Sequence, residues 1–153
     1  MECLRTSQAV ASSIVPVTVG ISGLNNLPFS INLLANARIA WEVIGLFTLG
    51  ATGGFRFLAN GPAAPSTYNA QYNINDLSSA TPAVGGRFVN GQVAEADFAN
   101  ASAVATTYQL EAKGSFLNGA TAGAFAFQFA QNTSDALAIT MLAGMTFKVW
   151  QFA

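Results

Sequence analysis

The sequence predicts an all-β chain, an antiparallel β-sandwich, on three observations. Two long segments alternate apolar and polar residues with a period of two. Gly- and Asn-containing turn signals recur between short apolar runs. No window carries a sustained apolar stripe of period 3.6 with helix caps.

The clearest strands are 36–48 and 104–116. In ARIAWEVIGLFTL, Ile39, Trp41, Val43 and Phe47 fall on one face, with Arg38, Ala40 and Glu42 opposite. In VATTYQLEAKGSF, Val104, Tyr108, Leu110, Ala112 and Phe116 share a face, with Thr107, Gln109, Glu111 and Lys113 opposite. Such alternation marks a sheet with one face in the core. Further strands are expected at 14–19, 27–33, 53–59, 67–74, 86–89, 123–130, 135–140 and 144–152. Asn90-Gly91 and Asn118-Gly119 both carry hairpin-turn chemistry, because Asn and Gly accept positive φ. The one short helix expected is around 92–99, inside a long polar connection, 76–103. Residues 1–13 precede the strand pattern and read as an N-terminal arm, leaving 14–153 as a single sandwich domain.

The two long strands also share a pattern. WEVIGLFTLGATGG and LEAKGSFLNGATAG repeat Glu, Gly, Phe, Gly-Ala-Thr and Gly at an offset of 69 residues. The offset respects the pleat: Trp41 matches Leu110, Val43 matches Ala112 and Phe47 matches Phe116, all inward, while Glu42 and Glu111 both point outward. After the turn the match slips by one residue, aligning Phe55 with Phe125. A slip inside a turn leaves both inward sets intact. Each segment is expected to run out along a long strand and return through a Gly-rich turn.

Composition narrows the function. Of 153 residues, only 8% are charged and 52% are hydrophobic, with a net charge of −1. An ordinary soluble domain carries about 25% charged residues. A chain this poor in charge is expected to hide surface in an assembly. The six basic residues are scattered, so the basic patch of a nucleic-acid binder is missing. The charge-free run 6–37 is broken by Pro16, Pro28 and several Asn and Ser residues, which argues against a membrane span. It is also a poor match to a signal peptide.

Catalytic chemistry is sparse. The chain has no histidine, which removes the commonest general base and metal ligand and excludes Ser-His-Asp and Cys-His arrangements. Cys3 is the single cysteine, near the N-terminus, and is read as a passive thiol. Glu95 and Asp97 form the only close acidic pair and read as a solvated face. No catalytic residue, cofactor or metal site is assigned. Phe125, Phe127 and Phe129 share a face and read as core. In 144–152, Met145, Phe147 and Val149 share one face, while Lys148, Trp150 and Phe152 lie on the other. That second face is expected at a subunit interface.

In order along the chain come Val17-Thr18-Val19-Gly20 with Gly23-Leu24, Trp41-Glu42 and Asn60-Gly61-Pro62-Ala63-Ala64-Pro65. Phe129-Ala130-Gln131-Asn132-Thr133-Ser134 and Leu142-Ala143-Gly144-Met145 follow. With these segments the chain resembles small β-rich virion proteins of tailed bacteriophages, and the C-terminal domains of some phage fibres. The resemblance implies a jelly-roll sandwich like the tumour-necrosis-factor fold, assembled as a homotrimer without enzymatic activity. It implies a capsid decoration (cement) protein, made in the host cytoplasm and placed on the capsid exterior, with the major capsid protein as partner. Leu4, Arg5 and Val10 of the arm are the expected capsid contact. Neither nucleic acid nor membrane is an expected partner. The alternative is a receptor- or glycan-binding fibre-tip module using the polar loops 60–66 and 76–103. Against the fibre reading, no heptad or collagen-like shaft is present.

Overall fold

A computed structural model describes residues 1–20, 28–49, 54–62, 67–77, 82–89, 94–98 and 107–152. The strands in chain order are β1 (Glu2–Cys3), β2 (Gln8–Val10), β3 (Val17–Thr18), β4 (Ser30–Leu33), β5 (Arg38–Thr48), β6 (Phe55–Asn60) and β7 (Thr67–Asp76). They continue as β8 (Pro82–Val89), β9 (Ala94–Phe98), β10 (Thr107–Leu117), β11 (Gly123–Gln131), β12 (Ile139–Met141) and β13 (Thr146–Phe152). All pairings are antiparallel. An eight-stranded sheet runs β1-β13-β5-β10-β7-β8, with β12 joining β5 to β2. A five-stranded sheet runs β3-β11-β6-β9, with β4 also on β11. The two sheets close over one aromatic core, so the chain is an antiparallel β-sandwich as its alternation implies.

The repeated pattern has a structural meaning that differs from a hairpin. β5 and β10 pair with each other in the large sheet, and β6 and β11 pair with each other in the small one. The chain therefore passes from one sheet to the other between β5 and β6 and again, through Gly119-Ala120-Thr121, between β10 and β11, so the two repeats form two arches facing one another. One pair matched by the offset of 69 meets directly, Val43 with Ala112, and the others are related across it, as Trp41 opposite Gly114 is to Leu110 opposite Gly45. Beyond the slip the offset is 70, and Leu58 pairs with Gln128. A local two-fold relation therefore passes through both sheets at these two pairs.

The phenylalanines clasp the arches. Phe47 on β5 stacks on Phe55 on β6 with centroids 4.3 Å apart. The matched pair, Phe116 on β10 and Phe125 on β11, lies at 5.2 Å. Phe57 and Phe127, matched to each other, meet at 5.6 Å near the axis. Tyr108 extends the first cluster against Phe47, and Trp41, Phe147 and Phe29 extend the second. Aromatic pairs at these separations contribute about 0.5–1.5 kcal/mol each beyond the area they bury.

The repeated glycine follows from the same packing. Gly45 and Gly114 occupy matched positions on the inner face. A Cβ on Gly114 would run into the Asn69 carbonyl oxygen and lie 2.9 Å from the Trp41 ring, and one on Gly45 would lie 2.6 Å from Met145. Each arch thus uses a missing side chain to admit a large neighbour.

Three sequence expectations change. Residues 94–98 form a strand paired with β6, not part of a helix at 92–99. Ala94, Ala96 and Phe98 alternate with Glu95 and Asp97, and a segment this short gains more from a ready strand edge than from an isolated helix. The connection 76–103 accordingly contains all of β8 and β9. Residues 1–13 are not a free arm: β1 pairs with β13, β2 pairs with β12, and Leu4 is fully buried in the core. The Asn90-Gly91 and Gly50-Ala51-Thr52 turns lie outside the described residues.

Gly114→Ala and Gly45→Ala should each lower unfolding stability by about 1–3 kcal/mol, the usual cost of overpacking a filled core. Urea denaturation checks this, with the exposed Ala120→Ser expected to change stability by less than about 0.5 kcal/mol.

Candidate functional site

Two polar clusters inside the fold are architectural. Gln131, at the end of β11, is fully buried. Its Oε1 accepts from the Ser13 and Asp135 amides at 3.1 and 3.0 Å, and its Nε2 donates to the Asp135 and Leu137 carbonyls at 2.9 and 2.8 Å. One side chain thus satisfies four backbone groups on two segments, which only an amide carrying both donors and acceptors achieves. The Gln of the Phe-Ala-Gln-Asn-Thr-Ser segment is a staple. Gln8 does the same on a smaller scale: its Oε1 accepts from the Gly20 amide and its Nε2 donates to the Thr18 carbonyl. Asn118, buried in the second crossover, donates through Nδ2 to the Leu34 and Thr121 carbonyls at 2.7 and 2.9 Å. Asn118-Gly119 therefore locks a crossover between sheets, where hairpin chemistry was expected.

The surface holds the candidate sites. The first is the side of the sandwich bounded by β13 and β4. β1 pairs only with the start of β13, at Thr146 and Phe147. Among the described residues no strand covers the outer edge of 148–152. A cleft of about 250 Å³ opens here between the sheets, bordered by Ile31, Phe147, Val149 and Gln151. Phe152 stands at this edge, half exposed.

The second is the outer face of the large sheet. A depression of about 610 Å³ crosses four strands, with Trp150 at one end and Asn69 at the other. Lys148 Nζ lies 3.4 Å from Glu42 Oε2 beside it, with both side chains partly exposed. An ion pair this wet contributes about 0.2–1 kcal/mol. The third is an apolar groove of about 370 Å³ between β2 and β3, bordered by Val10, Pro16 and Val17.

The expected site residues separate on this surface. Leu4 is buried, its amide donating to the Met145 carbonyl at 2.8 Å, so its side chain is closed to a capsid contact. Arg5 is exposed, and Val10 borders the groove between β2 and β3. Lys148, Trp150 and Phe152 share the outer face of β13, but Lys148 turns to Glu42 and Trp150 borders the depression. Within loop 60–66, residues 63–66 lie outside the described residues, as do 78–81, 90–93 and 99–103 of the second loop. The side chains of Glu95 and Asp97 also lie outside them. Cys3 is exposed on β1. Among the described residues no three His, Cys, Asp or Glu side chains come together to hold a metal, and no helix is long and apolar enough to cross a membrane.

Comparison with family models, with characterised proteins and with solved structures returns no match.

Replacing Gln131 with Leu should leave several buried backbone groups without partners, at about 1–3 kcal/mol for each left unsatisfied. Thermal unfolding of Gln131→Leu beside Thr133→Ala, which changes an exposed neighbour, should show a large loss for the first and almost none for the second.

Proposed function

We propose that the chain is a non-enzymatic structural protein of a tailed-phage virion, decorating and stabilising the capsid as a homotrimer with a jelly-roll arrangement of the tumour-necrosis-factor type. The observation that carries the reading is the uncovered side of the sandwich. The edge of residues 148–152, half-exposed Phe152 upon it and the cleft bordered by Ile31 and Val149, with Glu2, Asn32 and Gln151 among them, together form an uncovered margin of mixed polarity on a chain with 8% charged residues. Proteins ordinarily blunt a strand edge with unpaired charge, proline or a bulge. Here the one charge on the stretch, Lys148, is partnered by Glu42. A second copy of the chain is the natural cover, and the ordered series of phage-like segments supports a virion setting.

Stabilisation follows from linkage. A trimer that binds assembled capsid subunits more tightly than separated ones shifts the equilibrium towards the closed shell. The contact with the major capsid protein falls to Arg5, Val10 and the groove between β2 and β3, since Leu4 is buried. The alternative reading, a receptor- or glycan-binding fibre-tip module, draws its support from the outer-face depression.

Light scattering on the purified chain should give the mass of three copies. Phe152→Asp should shift the population towards monomer while leaving the folded spectrum intact, because Phe152 lies outside the core. A wild-type chain that stays monomeric at high concentration would overturn the reading.

A further inference from the structure

The depression on the outer face owes its shape to a row of small residues. Register places Trp150 beside Ala40, Ala40 beside Ser115, and Ser115 beside Asn69, across β13, β5, β10 and β7. Ala40 and Ser115 make a low floor between a large aromatic and an amide. The next row, Lys148-Glu42-Lys113-Gln71, forms one wall. The Arg38-Leu117 pair stands on the other side of the floor. Three inter-strand steps make the trough about 14 Å long, the length of a short oligosaccharide.

We propose that this trough is a binding site for a neutral oligosaccharide. Trp150, at 48% exposure, offers an apolar ring against which the C–H face of a pyranose packs. The primary amides of Asn69 and Gln71 each bring a donor pair and an acceptor, the combination that vicinal hydroxyls satisfy. Glu42 and Lys113 add charge-assisted bonds of opposite sense. Along this wall Lys148 is set against Glu42, so the excess is the single positive charge of Lys113, too little to select a polyanionic ligand.

Other occupants fit less well. A phosphate-rich ligand would need several converging cations, and Lys113 is the one lysine on this wall that is not paired with Glu42. A peptide strand would find no open backbone ladder, because β5 and β10 are paired on both sides. A subunit core is depleted in charge, whereas Glu42, Lys113 and Lys148 sit along this wall. The site rests on the glycan-binding reading above rather than on the homotrimer, although Phe152, beside Arg38, lies next to both.

The full chain is titrated with gluco-, manno-, galacto- and N-acetylglucosamine-based oligosaccharides while tryptophan emission is followed. Both tryptophans border the depression, Trp41 buried and Trp150 exposed, so loss of the spectral change in Trp150→Phe assigns it to Trp150. At least one sugar should shift the emission with millimolar or tighter affinity. Ala40→Leu, which fills the floor, and Gln71→Ala, which removes an amide, should each weaken that binding about tenfold, or 1.4 kcal/mol, at unchanged melting temperature. Failure of all four sugars at millimolar concentration overturns the proposal, as does binding that survives both substitutions. Burial of Trp150 that rises with protein concentration and blocks every sugar would assign the trough to a second copy, and overturns it too.

Discussion

The structure hangs on the pairing of β5 with β10. Eleven residues of each strand face each other without a register break, from Arg38-Leu117 to Thr48-Thr107. Both chains then leave this central pair for the opposite sheet, where β6 and β11 pair again. The sandwich is therefore held by two mutually paired arches, each closed by a stacked or tilted phenylalanine pair. Because the inward residues of both strands come from the same repeated pattern, one packing solution serves twice. Gly45 and Gly114 recur because each must let a large side chain approach the sheet. Phe47 and Phe116 recur because each must reach the first inward ring beyond the crossover.

Around this centre the remaining strands are short and depend on polar side chains for their placement. Gln131 ties Ser13 and residues 135–137 to the end of β11, and Gln8 ties the approach to Gly20. Buried amides suit this task in a chain with few charges, because they satisfy several backbone groups without the desolvation cost of a buried ion. The central pair has neighbours on both sides, so the unprotected elements are peripheral. β13 is the clearest: β5 flanks it on one side, and β1 covers only its first residues on the other. The exposed margin follows from the order of strands in the sheet.

Much of this fold was legible in the sequence, and the reasons are specific. The inward sets of β5 and β10 follow from strict alternation, and their faces agree with the observed burial at Ile39, Trp41, Val43, Phe47, Tyr108, Leu110, Ala112 and Phe116. The duplication was legible in phase but not in topology, because a Gly-rich turn reads the same whether it closes a hairpin or crosses between sheets. Only the partner of each strand distinguishes the two, and pairing is a long-range property. β1 and β2 were missed because strands of two and three residues are too short to display a period. The outer-face trough was likewise hidden. It requires Trp150, Ala40, Ser115 and Asn69 to be neighbours, and that adjacency exists only once β13, β5, β10 and β7 are laid side by side. The role of Gln131 had no sequence signal beyond its place in a recurrent segment.

The central claim is that two paired arches make a self-sufficient core and leave the last half of β13 for another molecule to cover. Amide hydrogen exchange, measured at low and at high protein concentration, tests it most directly. The account predicts that the amides of 38–48 and 107–117 exchange slowest at both concentrations, while the amides of 148–152 that point away from β5 exchange quickly when dilute and become protected when concentrated. Slow exchange of those outward amides at every concentration, or rapid exchange of the β5–β10 pair, would contradict it.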